Sequence, residues 1–285
     1  MSENNLMRNR KQLSDLNLID DFLFYTILSH KEYGVPFARM ILEIILQRKI
    51  GAIQIHPQHA IYGSDTEHKG VILDVLIEEV YEKSSAPGNS IDLEVDQNKS
   101  EEDVNAWPMR ARYYHSTIDR KMLKSGDKYD KLRPVYVIII MNYDPFKKGK
   151  LVYTIKRSVV DDATIEYDDK DTTMFLYTRG MPDKNKHQEE IASLLRFVEN
   201  TDPKNAITSI LSKMQDMVTK IKSNEEVSEV FMRAAEREEM LRKEGAAEER
   251  AKRLEAEARA DEAEARADEA EKELEKYKKK FGELD

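Results

Sequence analysis

The sequence predicts an α/β chain, a mixed sheet flanked by helices and followed by an extended helical tail. Three observations predict it. Strand-like runs of period two are interspersed with stretches of helical period. One run, "PVYVIIIMN", is continuously apolar and β-branched, as a strand buried on both faces is. From about residue 225 the composition shifts to Ala, Glu, Arg and Lys in a seven-residue repeat, "AEARADE AEARADE AEKELEK".

The elements follow in order. Residues 1–17 are expected to be a flexible start and 18–224 the folded domain. Within 18–50, two apolar-periodic segments separated by Gly34 and Pro36 predict two helices, the second with Ile41, Leu42, Ile45 and Leu46 on a wide apolar face. Residues 70–97 predict a hairpin, and 107–124 a helix with Pro108 near its first turn and Gly126 just past its end. "KLVYTIKRSV" and "TTMFLYTRG" are further strand candidates, and 186–222 turns helical again. "HPQH" at 56–59 reads as a surface loop, Trp107 as the anchor of its helix, and Glu78 and Glu79 as solvated strand-end residues.

In the tail, 225–285, Ala260, Ala263, Ala267, Ala270, Leu274, Tyr277, Phe281 and Leu284 form a seam with heptad spacing. Alanine buries little area, so two readings stay open. One is a solvated single helix held by i,i+4 ion pairs, and the other is a weak or partner-dependent coiled coil.

Composition narrows the classes. With 40% hydrophobic and 35% charged residues, the 285-residue chain can bury one medium core beside something highly solvated. The absence of cysteine excludes disulfides and thiolate metal sites, and fits a reducing cytoplasm. The first residues show no apolar segment of a secretory signal, and "PVYVIIIM" is too short to span a bilayer, so no membrane role is expected. The net charge of −9 argues weakly against bulk nucleic-acid binding, although segregated charges would override the sum.

The hairpin carries the chemistry. Side chains alternate along a strand, so Ile91, Leu93 and Val95 share one face and Asp92, Glu94 and Asp96 the other. If the hairpin is symmetric, Asp74 lies opposite Glu94 and the two carboxylates project side by side. They repel unless a proton or cation sits between them, and a divalent cation with oxygen ligands such as Mg²⁺ is the natural compensator. The alternative is a half-exposed sheet whose polar face happens to be acidic. Asp74, lying among Val, Ile and Leu, counts against it. The following helix carries Arg110, Arg112, Arg120, Lys121 and Lys124 interleaved with Tyr113, Tyr114 and His115. Cations beside an acidic metal centre suit a phosphodiester, whereas a solvated basic face packed by its tyrosines is the plainer reading.

Together these motifs resemble the Rpn family of recombination-promoting nucleases and transposases, of the PD-(D/E)XK superfamily. "KGVILDV", "IDLEVD", "RARYYHSTID…LKSGDKY", "PVYVIIIMNYDPF", "DDFLFYTIL" and "LRKEGAAEER" carry the resemblance, in the family's order, over roughly residues 18–250. It implies a restriction-endonuclease-like core and a Mg²⁺-dependent (or Mn²⁺-dependent) DNA endonuclease linked to recombination or mobile elements. Asp74 and Glu94 would be metal ligands, joined by the Val95 carbonyl. Arg110, Arg112, Tyr113, Tyr114 and Lys121 would meet the substrate. Asp96 stands where the family has Gln and the wider superfamily Lys. A second metal at Asp96, or a bulge bringing Gln97 or Lys99 into place, would fill that role. Tyr25 replaces the Lys of the N-terminal helix, while Asp21 is kept. A homo-oligomer through the C-terminal helix is expected, and the alternative function is a catalytically degenerate fold that binds DNA or protein.

Overall fold

The computed structural model describes residues 11–61, 71–80 and 87–282. The chain divides into two units, Met1–Ser228 and Glu229–Asp285.

The first unit is built on a six-stranded mixed sheet of order β1-β2-β3-β4-β6-β5. The strands are β1 Ala52–Ile61, β2 Val71–Val80, β3 Pro87–Asp96, β4 Val135–Met141, β5 Val152–Ile155 and β6 Asp171–Tyr177. β1, β2 and β3 pair antiparallel, β3–β4 and β4–β6 are parallel, and β5 returns antiparallel on β6. β4 therefore sits between two parallel neighbours. Its Val137, Ile138, Ile139, Ile140 and Met141 are fully buried, as the unbroken apolar run requires.

The helices are α1 Asp21–Ser29, α2 Gly34–Leu46, α3 Glu101–Met122, α4 Lys186–Glu199 and α5 Ser209–Lys222, and α6 Glu225–Phe281 enters the second unit. α1 lies against β1, β2 and β3, and α2 against β1, while α4 and α5 pack on α2. Gly34 is required where α1 meets α2, because a Cβ there would stand 2.3 Å from the Leu28 carbonyl oxygen. Gly34 and Pro36 thus begin the second helix rather than separate two.

α3 covers part of the other face of the sheet. Trp107, Ala111, Tyr114 and Ile118 pack on Leu76, Val135, Val137, Ile139, Met141 and Phe175. It starts six residues earlier than its apolar pattern suggests. The Ser100 side chain accepts from the Asp103 N–H, and Glu101, Glu102 and Asp103 fill the positive end of the helix. Pro108 consequently lies inside the helix, not near its first turn.

Two further expectations are corrected. "HPQH" is not a loop but part of β1, and Pro57 is tolerated there because β1 is an edge strand with one side free of ladder bonds. Glu79 is not solvated. It is 3% exposed and gripped by both Nη1 and Nη2 of Arg48 at 2.7 and 2.8 Å and by Asn89 Nδ2 at 2.5 Å. Glu78 is half-buried beside His56 Nε2 at 3.1 Å and Arg133 at 3.7 Å. Leu284 of the seam, and Lys69 at the head of "KGVILDV", a lysine that could touch a phosphate, lie outside the described residues.

α6 is held along its length by ion pairs one turn apart, including Arg253–Glu257 at 3.0 Å and Arg259–Glu255 at 2.6 Å. Its Leu254, Leu274 and Tyr277 are exposed. Among the described residues no helix is long and apolar enough to cross a membrane.

Candidate active site

The β2–β3 register pairs Leu76 with Asp92 and Ile77 with Ile91. Continued by two residues, it sets Asp74 opposite Glu94, and residues opposed in this way point to the same face. The parallel pairing of β3 with β4 aligns Asp92 with Val137, Glu94 with Ile139 and Asp96 with Met141. That face is the one covered by α3, so the three acids of β3 are carried under a helix instead of into solvent.

The acids differ sharply in what they meet. Asp92 is fully buried, and among the described residues its carboxyl finds no partner but the neighbouring Glu94 carboxyl. Glu94 is 3% exposed, and its nearest cation among the described residues is Arg110, with Nη2 3.8 Å from Oε2. Burial and the charge of Asp74 hold both the Asp92 and Glu94 carboxyls well above the usual carboxylate range; Asp92 also raises Glu94, whereas a hydrogen bond from Glu94 pulls Asp92 back. Burial and the charge of Asp21 push Asp74 up to about 6, although the Val95 backbone N–H and Arg110 pull the other way. Asp21, at the start of α1, is itself raised by burial and by Asp96. Asp74, Asp92 and Glu94 thus share one guanidinium, Arg110, among the described residues.

Asp96 is satisfied. Its Oδ2 accepts from Trp107 Nε1 at 2.6 Å and from the Tyr143 hydroxyl, and its Oδ1 from the Asn98 N–H at 2.8 Å. Those bonds fix Trp107, whose ring carries the Arg110 guanidinium 3.9 Å from its centroid, and Arg110 also donates to the Tyr114 hydroxyl at 2.9 Å. Asp96 therefore holds the residue that holds Arg110. β3 runs in unbroken register with β4 through Asp96, so no bulge on that side brings Gln97 round. Gln97 donates to the Ile19 carbonyl and to Asp20 instead, and Lys99 is exposed.

Of the expected substrate contacts, Arg110 stands at the acids. Tyr114 is buried beneath it, and Tyr113 is 41% exposed. Lys121 lies beside Glu78, four residues along β2 from Asp74, or about 13 Å. Arg112 lies on another side of α3, at a cavity bordered by β5 and β6. The residue that sequence reasoning passed over is Asp92. The alternation along β3 marked its face, but only its position under α3 separates it from a solvated acid.

Among the described residues no three of His, Asp and Glu converge closely enough to cage an ion. The arrangement still suits a hard divalent cation. Mg²⁺ is bound through one or two carboxylates, retains several waters and completes its shell on substrate oxygens. The acid-only surroundings of Asp92 and the raised Asp74 and Glu94 carboxyls are features that a proton or a cation would relieve.

Comparison with known proteins agrees with the geometry. A family model described as PD-(D/E)XK nuclease family transposase matches residues 18–280. No curated protein and no solved structure matches the chain.

Proposed function

The chain belongs to the PD-(D/E)XK nuclease family transposases, and on that premise we propose that it is a divalent-cation-dependent DNA endonuclease of mobile elements or recombination, acting in the cytoplasm. The single observation that carries the reading is the opposed pair of half-buried Asp74 and buried Glu94, with Arg110 as their cation among the described residues.

Asp74, Glu94 and the Val95 carbonyl would hold the cation, with Mg²⁺ preferred and Mn²⁺ accepted. When bound, it would supply activation of water and stabilisation of charge developing on the phosphodiester. The protein's own residues do the rest. Arg110 faces the same carboxylates and offers a phosphate the positive charge that Asp96 cannot, so the role of the family's Gln or Lys passes to the helix. Asp96 keeps Trp107 and hence Arg110 in place. The buried face of α3 excludes water from behind the acids, which keeps their field strong. Lys121 and Arg112 would contact flanking backbone. Cleaving both strands of a duplex needs two centres, so two copies are proposed to associate through α6. A monomeric mass over a concentration series in light scattering overturns that part.

The test is nicking of supercoiled plasmid by the full-length protein in Mg²⁺, beside EDTA and Asp74→Ala controls. Nicking lost in both controls supports the reading. No nicking in Mg²⁺ or Mn²⁺ at any protein concentration shifts it to a catalytically silent fold that binds through its surfaces, a reading favoured by the engaged Asp96.

A further inference from the structure

A second site lies on another flank of α3. A cavity of about 300 Å³ opens between that helix and strands β5 and β6, at the small end of the range for ligand pockets (about 300–1,000 Å³). It is large enough for one nucleotide. Its apolar side is Phe175, which is buried, and Phe146, which is 38% exposed and meets Phe175 edge-to-face at 5.3 Å. Its inner end is polar. His115 is 4% exposed, its Nε2 lies 2.9 Å from the Thr173 hydroxyl, and its buried Nδ1 stands 3.3 Å from Asp171 Oδ1, whose carboxyl it helps to hold below the usual range. The rim is basic. Arg157 is paired with Asp169 and Asp171, whereas Arg112 and Lys156 have no carboxylate partner among the described residues.

An aromatic wall, a polar floor and, among the described residues, two cations without a carboxylate partner at the mouth are complementary to a flat heteroaromatic ring carrying a phosphate. We infer that this cavity binds one nucleotide unit, its base against Phe146, its polar edge at His115 and Asp171, and its phosphate at Arg112 and Lys156. The position suits a strand already held at the acids. Phe175 meets Trp107 edge-to-face at 6.1 Å, and the Trp107 ring carries Arg110. The cavity is therefore two ring contacts from the candidate active site. The choice of a nucleotide as ligand rests on the nuclease reading, and the aromatic wall with its basic rim does not.

The test uses full-length protein in EDTA, where binding is read without cleavage. A fluorescein-labelled 12-nucleotide single strand is compared, by anisotropy, with a set in which each position in turn is abasic. One abasic position is expected to weaken binding about tenfold, the loss of one base–aromatic stack. Phe146→Ala is expected to weaken the intact strand by the same factor and to add nothing to the abasic loss. Lys156→Glu, at an exposed position that does not disturb the core, covers the case in which Phe146→Ala loosens the fold, and is expected to weaken binding as well. Displacement of the strand by dAMP identifies a free nucleotide as sufficient; an abasic loss without such displacement identifies a nucleotide within a strand. A flat abasic series, or wild-type affinity in both variants, overturns the site. Nicking that persists alongside that result leaves the nuclease standing without the pocket, and the expected strand binding in a protein that never nicks leaves the pocket without the nuclease.

Discussion

Glu79 and Glu94, on adjacent strands of one hairpin, are equally buried at 3% exposure and have opposite surroundings. Glu79 receives a two-pronged guanidinium from Arg48 and an amide from Asn89. Glu94 has a guanidinium no nearer than 3.8 Å, with Asp92 beside it and Asp74 opposite. A buried charge with good partners is a structural element, whereas a cluster of them without partners is unstable until something else arrives. On the proposed reading, the difference separates an acid that holds the sheet together from acids kept for a ligand.

The comparison can be broken from either side. The largest effect on stability is expected at Arg48→Ala, which strands Glu79. Denaturant unfolding should show a loss of about 3 kcal/mol, the lower end for breaking a buried pair because Asn89 remains, with nicking per folded molecule unchanged. Adding Mg²⁺ should act on the other acids. At a hundredfold excess over its dissociation constant it should stabilise the wild type by about 2.7 kcal/mol and Glu94→Gln by far less. Asp92→Asn replaces a carboxyl that is costly to ionise in the fold by a neutral group of the same shape, so the cation-free protein should gain roughly 1 kcal/mol at neutral pH, read in the same unfolding experiment. Smallest is Arg259→Ala on α6, about 0.3 kcal/mol for one exposed helical pair.

The pH dependence sharpens the same contrast. Asp74 is raised from 3.8 to about 6 in the folded protein. Between those values the folded state binds more protons than the unfolded chain, so stability without a cation should fall as pH rises through that window. The raised Asp92 and Glu94 carry the decline to higher pH. Thermal unfolding without cation should therefore show a higher midpoint at pH 5 than at pH 7.5, and Mg²⁺ should reverse the order. A midpoint that rises with pH in EDTA would contradict it.

The sequence carried more of this site than of its cover. Alternation in "IDLEVD" placed three acids on one face, and hairpin symmetry set Asp74 against Glu94, because strand geometry is local. β4 was legible because a strand buried on both faces needs apolar residues throughout. β1 was not, since an edge strand tolerates Pro57 and two histidines that read as a loop. The early start of α3 had a signal in Ser100 and the acids after it, outweighed by attention to Pro108. The separate fates of Glu79, Asp92 and Asp96 were not legible. They depend on Arg48, α3 and Tyr143, partners contributed across the fold at distances that no spacing encodes.

The most direct test is calorimetric titration of Mn²⁺ into the full-length protein at pH 7.5, for the wild type and for Glu94→Gln. Saturable binding in the wild type, lost or weakened more than about tenfold in the variant, is the predicted result, since losing even a supporting group around a metal costs 10–100-fold. Equal binding by both proteins, or none by either, would contradict the claim that the acids beneath α3 are a cation site.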